Sequence, residues 1–210
     1  MEILLKDIGK RYNNEWIFKG ITHNFTKGNN YVILGSNGTG KSTLLQLIAG
    51  NFIPSEGNIS YTLENKALDQ EKIFTHISIA TPYLDLIEEY TLTELIDFHS
   101  KFKPMLFDTE KTIEILDLNS SKNKVLKYFS SGMKQRVKLA LAILNKNPLL
   151  LLDEPSSNLD RNSINWYMEM IKKYCSEKLI VVCSNNQKEE YFFCNKEIQI
   201  ELYKTAKIQA

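Results

Sequence analysis

One eight-residue stretch, GSNGTGKS from Gly35 to Ser42, constrains the fold more than any other. It fits the pattern G-x-x-x-x-G-K-[ST], which cradles phosphate only where it joins a strand to a helix. Its flanks meet that condition. YVIL, Tyr31 to Leu34, is apolar with β-branched Val32 and Ile33, and KSTLLQLIAG spaces Leu44, Leu45, Leu47 and Ile48 as a helix packed on a sheet requires. The order strand, glycine loop, helix predicts an α/β core.

The chemistry of phosphate explains the composition of the loop. A triphosphate needs many donors converging on a small anion, and backbone N–H groups supply them where the chain wraps closely, which side chains at Gly38 and Gly40 would hinder. Gly35, Ser36, Asn37, Gly38, Thr39 and Gly40 form the candidate cradle. A helix starting near Gly40 adds its free N–H groups and positive end. Lys41 is placed to reach the β- and γ-phosphates, Ser42 to offer a hydroxyl to Mg2+, and Thr43 to touch the α-phosphate. The reading is ATP with Mg2+.

A second signal lies in NPLLLLDEPSSNLD, Asn147 to Asp160. Four consecutive leucines read as a strand buried on both faces. Asp153 and Glu154 follow at its carboxyl end, where doubly wound sheets bind ligands. Asp153 is the candidate Mg2+ ligand, through water, and Glu154 the group that polarises the attacking water. Between the two motifs, YFSSGMKQRVKLALAIL carries an apolar helical face through Leu139, Ala140, Ala142, Ile143 and Leu144. Ser130 or Ser131 stands where its N-cap belongs, and with Gly132 makes a second candidate anion site.

Composition narrows the partners. The 210 residues hold 26 basic and 25 acidic side chains, a net charge of +1, so no global field draws in nucleic acid or anionic lipid. The longest apolar runs fall far short of the roughly 20 residues a membrane helix needs. The opening MEILLKDIGKRY does not read as a signal peptide. Cys175, Cys183 and Cys194 lack metal-ligand spacing and read as reduced thiols in or near a core, which fits a cytoplasmic setting.

A phosphate loop, a serine-glycine helix start about 90 residues later and an apolar strand ending in DEP resemble the nucleotide-binding subunit of an ATP-binding cassette transporter over nearly the whole chain. The family's signature, usually LSGGQ with the variant LSGGMKQR, is matched by FSSGMKQR, with Phe129 and Ser131 as substitutions. The resemblance implies a P-loop ATPase core with a parallel central sheet. A flanking antiparallel subdomain would come from strands near 2–8, 16–25 and 57–63, and an inserted helical subdomain from about 83–128, all in one domain spanning 1–210. It implies hydrolysis in a head-to-tail dimer, identical or paralogous. Ser130 and Gly132 of one chain would complete the ATP site of the other, and Ser157 to Asp160 would lie across the interface. Tyr12 takes the place of the aromatic residue that stacks on adenine, with Trp16 as rival. The partner implied is a separate membrane-spanning subunit, which would hold the chain on the inner face of the cell membrane without bilayer insertion. Tyr83 and Leu86 are the candidate contacts to it. The transported substrate is not legible.

Two positions depart from the family. Pro82 in SIATPYLD stands where a glutamine is usual, and Asn186 in VVCSNNQ is matched to the histidine that contacts the γ-phosphate. Neither can supply the usual group: proline has no side-chain hydrogen bond and an amide does not titrate. These departures keep two further readings open: a nucleotide-gated regulatory module with weak hydrolysis, and a soluble ATPase of the same group.

Overall fold

The computed structural model describes residues 1–204. Two sheets and a set of helices stack in layers. Strands β1 (Glu2–Tyr12), β2 (Glu15–Thr26), β4 (Glu56–Leu63) and β5 (Lys66–Leu68) form an antiparallel sheet in the order β2-β1-β4-β5. The second sheet is parallel, in the order β6-β7-β8-β3-β9, from β3 (Asn30–Leu34), β6 (Ile77–Ala80), β7 (Leu149–Asp153), β8 (Leu179–Ser184) and β9 (Lys196–Gln199). Both expected sheets are present, with β1 longer than the expected 2–8; β9 gives way to a 3-10 turn at Ile200.

Helix α1 (Lys41–Ile48) lies between the sheets. Leu44, Leu45, Leu47 and Ile48 are fully buried in one apolar cluster with Phe18, Ile21 and Phe25 of the antiparallel sheet and Leu149, Leu151 and Val181 of the parallel one. The alternation of side chains along a strand sends Leu150, Leu152, Ile180 and Val182 to the opposite face. There they meet α2 (Leu92–Phe102), α3 (Thr109–Leu116), α4 (Ser131–Ile143) and α5 (Arg161–Tyr174) in a second cluster. All four leucines of β7 are 0% exposed, as a strand covered on both faces requires.

Both α-helices of the inserted segment begin at a side-chain cap. Thr91 and Glu94 form a reciprocal capping box at α2, and the Asp108 carboxylate accepts the Lys111 N–H at α3. Leu92, Leu95, Ile96, Ile113 and Leu116 turn inward as their spacing requires. Because the parallel strands all run the same way, the loops that follow β3, β6, β7 and β8 gather at one edge of the sheet.

Candidate nucleotide-binding and hydrolysis site

The loop after β3 owes its shape to two glycines for different reasons. Gly40 holds φ 101°, and a Cβ there would sit 2.5 Å from Ile17 Cγ2 and 3.0 Å from Phe18 Cδ1. Gly38, at φ 75°, has open space around it. Gly40 is therefore fixed by the antiparallel sheet behind the loop, whereas Gly38 is fixed by backbone conformation alone. Thr39 is buried and its hydroxyl donates to Ser36 O at 2.8 Å, stapling the loop to itself.

Lys41 opens α1 and is only 5% exposed. Its ammonium donates to Gly35 O at 2.8 Å, Ser36 O at 3.1 Å and Asn185 Oδ1 at 2.5 Å. All three partners are neutral, and among the described residues no ion pair includes Lys41. A buried cation with only neutral oxygens around it calls for an anion. The free N–H groups at the start of α1 point the same need toward phosphate.

Ser36, expected in the cradle, lines the cleft at the phosphate loop. Its N–H and hydroxyl donate to Glu201 Oε1 at 3.0 and 2.7 Å, bonds that hold the Glu201 carboxyl below its ordinary range. Its carbonyl accepts from Lys41. Asn37 offers its side-chain oxygen to Asn185 Nδ2 at 2.5 Å.

Asp153 ends β7, buried, with Glu154 half-buried beyond it. Burial raises the Asp153 pKa, opposed first by a hydrogen bond from the Ser42 hydroxyl, while Glu154 adds to the rise and Lys41 opposes it. A buried carboxylate beside a hydroxyl on the neighbouring helix offers a pair of hard oxygens suited to Mg2+. Glu154 sits at φ 44°, in the left-handed region, with its N–H on Cys183 O at 2.9 Å.

The residue at the end of β8 that joins the site is Asn185. Asn186, matched to the family's histidine, follows it and lines the same cleft as Gly35, Ser36 and Asn37; it is exposed, at φ 70°, and its side-chain oxygen accepts from the Tyr191 hydroxyl at 3.1 Å. Asn185 instead places Oδ1 on Lys41 and gives Nδ2 to Asn37 and, at 2.7 Å, to Glu154 Oε1. The sequence motifs passed over Asn185. The signal available was that β8 is buried through Ser184, so the next residue is the first to face the sheet edge.

Ser130 is the N-cap of α4, accepting the Met133 N–H at 3.2 Å, and is exposed. Gly132 packs so closely on the segment Ser157 to Asp160 that a Cβ would lie 3.0 Å from Asn158 O. Among the described residues, no hydrogen bond joins 130–132 to the phosphate loop. Thr43 lies half-buried in the first turn of α1. Tyr12, at the end of β1, is 47% exposed. Its rival Trp16 lies over Gly9 and takes Lys19 and Arg11 against its ring, at 4.7 and 5.6 Å from the centroid. Pro82 follows β6 and its carbonyl accepts from Lys138 Nζ at 3.2 Å.

A strand, glycine loop and helix with an anion-seeking lysine, beside two carboxylates ending a neighbouring strand, define a P-loop nucleotide-binding protein. The family model for ABC transporters matches residues 18–157, and the chain belongs to that family as an ATP-binding cassette, an ATPase that uses ATP and Mg2+. The linearmycin resistance ATP-binding protein LnrL of Bacillus subtilis (strain 168) is 28% identical over 197 residues, covering 91% of this chain and 63% of that protein. The lantibiotic transport ATP-binding protein SrtF of Streptococcus pyogenes is 30% identical over 190 residues, covering 87% and 79%. A solved structure described as a putative ABC transporter ATP-binding protein from Pyrococcus furiosus superimposes with a TM-score of 0.81 at 21% identity, covering 98% of this chain and all of that one. The described residues include no helix long and apolar enough to cross a membrane.

Proposed function

We propose that two copies of this chain, or this chain and a paralogue, close head to tail on ATP and drive transport through a separate membrane-spanning subunit, the chain lying on the cytoplasmic face. The observation that carries the reading is Lys41, buried among neutral oxygens beside Glu154 and Asp153.

Lys41 and the N–H groups from Gly38 to Thr43 hold the phosphates, and Tyr12 stacks on adenine. Ser42 and Asp153 would hold Mg2+, which neutralises charge on the β- and γ-phosphates when bound. Glu154 orients the attacking water and takes its proton. Asn185 keeps the Glu154 carboxylate and the Lys41 ammonium in register. Ser130 and Gly132 stand at an exposed helix start away from their own phosphate loop, which suits them to the ATP of the other chain.

The membrane subunit has a place to dock. A groove of about 470 Å³ runs between the core and the helical segment, lined by Phe74, Leu84, Leu86, Ile87, Phe98 and Phe102 among others. It supports the reading that this junction receives the membrane partner.

A second reading has an observation in its favour. Pro82 offers only a backbone oxygen, and Asn186, matched to the family's histidine, is a neutral amide where the histidine can carry charge, as is Asn185 before it. Both features favour slow turnover in a nucleotide-gated module. Mg2+-dependent ATP hydrolysis by wild type and Glu154→Gln decides between them. A loss of about a hundredfold or more in kcat with ATP binding retained supports the transporter ATPase. Equal rates in the two proteins, alone and with the membrane partner, would overturn it.

A further inference from the structure

We infer that Glu190 is a positioning residue for hydrolysis, anchoring the backbone turn that presents Glu154 while Asn185, five residues earlier, holds the Glu154 carboxylate. The inference rests on the proposed role of Glu154.

Glu190 lies on α6 (Lys188–Tyr191) and is 1% exposed. One carboxyl oxygen accepts the Ser156 N–H at 3.1 Å and lies 2.6 Å from the Ser156 hydroxyl, which is also 2.8 Å from Gln187 Oε1. The other oxygen is buried with no partner. Among the described residues no ion pair includes Glu190. Its backbone is itself pinned, since Tyr167 Oη donates to Glu190 O at 2.7 Å and Glu190 N–H to Gln187 O at 2.9 Å.

Ser156 is two residues beyond Glu154, across Pro155, which has no N–H to give. The turn is otherwise held by Glu154 N–H on Cys183 O at 2.9 Å, Ser157 N–H on Glu154 O at 3.0 Å and Gln135 Nε2 on Pro155 O at 3.1 Å. Glu154 itself is kept at φ 44°, a conformation a non-glycine residue retains only where its surroundings over-determine it. Glu190 provides one of the bonds that do so, from the same short segment that carries Asn185.

Burial and the nearby Glu154 both favour the neutral form of Glu190. The anchoring bonds ask for a buried acceptor oxygen at this place, which the side-chain carbonyl of glutamine also supplies. This separates anchoring from an electrostatic role.

The test is steady-state Mg2+-ATP turnover and equilibrium nucleotide binding of the full chain carrying Glu190→Ala, Glu190→Gln or Glu154→Gln. Glu190→Ala is expected to lower kcat by about tenfold to a hundredfold with nucleotide Kd nearly unchanged, since the turn is displaced and the phosphate loop is not. Glu190→Gln is expected to restore kcat to within about threefold of wild type. Where Glu190→Ala does not fold, Ser156→Ala carries the same test, with a smaller fall in kcat and unchanged Kd. Wild-type kcat in Glu190→Ala or, in its place, Ser156→Ala, or a Glu190→Gln as impaired as the alanine, would overturn the inference. Wild-type activity in Glu154→Gln overturns the underlying role of Glu154 instead.

Discussion

The side-chain amide of Asn185 bridges Lys41 and Glu154, with Oδ1 2.5 Å from the ammonium and Nδ2 2.7 Å from the carboxylate. The two ends of the amide match the two partners, oxygen to donor and nitrogen to acceptor. The residue proposed to bind phosphate and the residue proposed to activate water are thus coupled through one neutral group. Asn185→Ala leaves Lys41 with two acceptors and frees Glu154 to swing. Losing such bonds is worth about 1.5–3 kcal/mol each where a partner is charged, so kcat is expected to fall about tenfold to a hundredfold. ATP affinity is expected to change less, because the cradle itself persists. A kcat equal to wild type, measured at saturating ATP, would remove Asn185 from the reaction.

The glycines of the phosphate loop are predicted to be unequal. Gly40→Ala imposes left-handed strain and drives a methyl into Ile17 and Phe18, whereas Gly38→Ala meets only the strain. Strain of this kind costs about 1–2 kcal/mol, and the clash adds to it. Urea denaturation is expected to show Gly40→Ala the more destabilised by at least about 1 kcal/mol. Equal midpoints would contradict the packing reason given for Gly40.

Stability is expected to fall on the acid side of neutrality through His99. Its Nε2 is buried without a partner, and burial, followed by Lys103, lowers its pKa from 6.5. As pH drops through 6.5 the unfolded chain takes up the proton while the folded chain resists it, so stability present above 6.5 is lost as pH falls toward the folded pKa. His23 contributes in the same direction, from burial and then Lys196. His99→Leu should therefore flatten the dependence of the urea midpoint between about pH 7.5 and about pH 5.5. Parallel slopes in wild type and variant would show that His99 does not carry it.

Legibility in the sequence followed how local each constraint was. The phosphate loop, its flanking strand and helix, and the leucine strand ending in Asp153 and Glu154 could be read because each is set by residues within one element. Asn185 was passed over because its contacts depend on where β8 leaves the sheet. Glu190 and Glu201 carried no signal at all. Each acts through a carboxylate that reaches a different loop, 34 residues back to Ser156 and 165 back to Ser36. Such contacts exist only after the parallel sheet has brought its loop ends together.

The groove at the helical segment divides two residues that the sequence paired. Tyr83 is 84% exposed, whereas Leu86 is half-buried against the core cluster beneath α2. Tyr83→Ala is expected to reduce co-purification with the membrane subunit and to leave folding intact. Leu86→Ala is expected to lower stability by about 1–3 kcal/mol, as loss of a partly buried leucine does. Undiminished co-purification of the Tyr83 variant, quantified by mass spectrometry of gently extracted membranes, would place the partner elsewhere.

Adenine recognition provides the last contrast. Trp16 is the larger platform, but its ring covers Gly9 and is flanked by Lys19 and Arg11, so its stacking surface is already in use. Tyr12 extends beyond it at the end of β1, nearly half exposed, with Lys10 5.3 Å from its ring centroid. Stacking of a base on an aromatic ring is worth about 1–3 kcal/mol. Tyr12→Ala should accordingly weaken ATP binding by about fivefold to a hundredfold, while Tyr12→Phe stays near wild type because the ring and not the hydroxyl is used. Since every base offers a π-face, the loss should be similar for GTP. Trp16→Ala should reduce stability more than affinity, because the Gly9 packing lies within the sheet. Isothermal titration of both variants with ATP and GTP separates the two. An affinity loss confined to the Trp16 variant would exchange their roles and would mean that the ring leaves Gly9 when nucleotide binds.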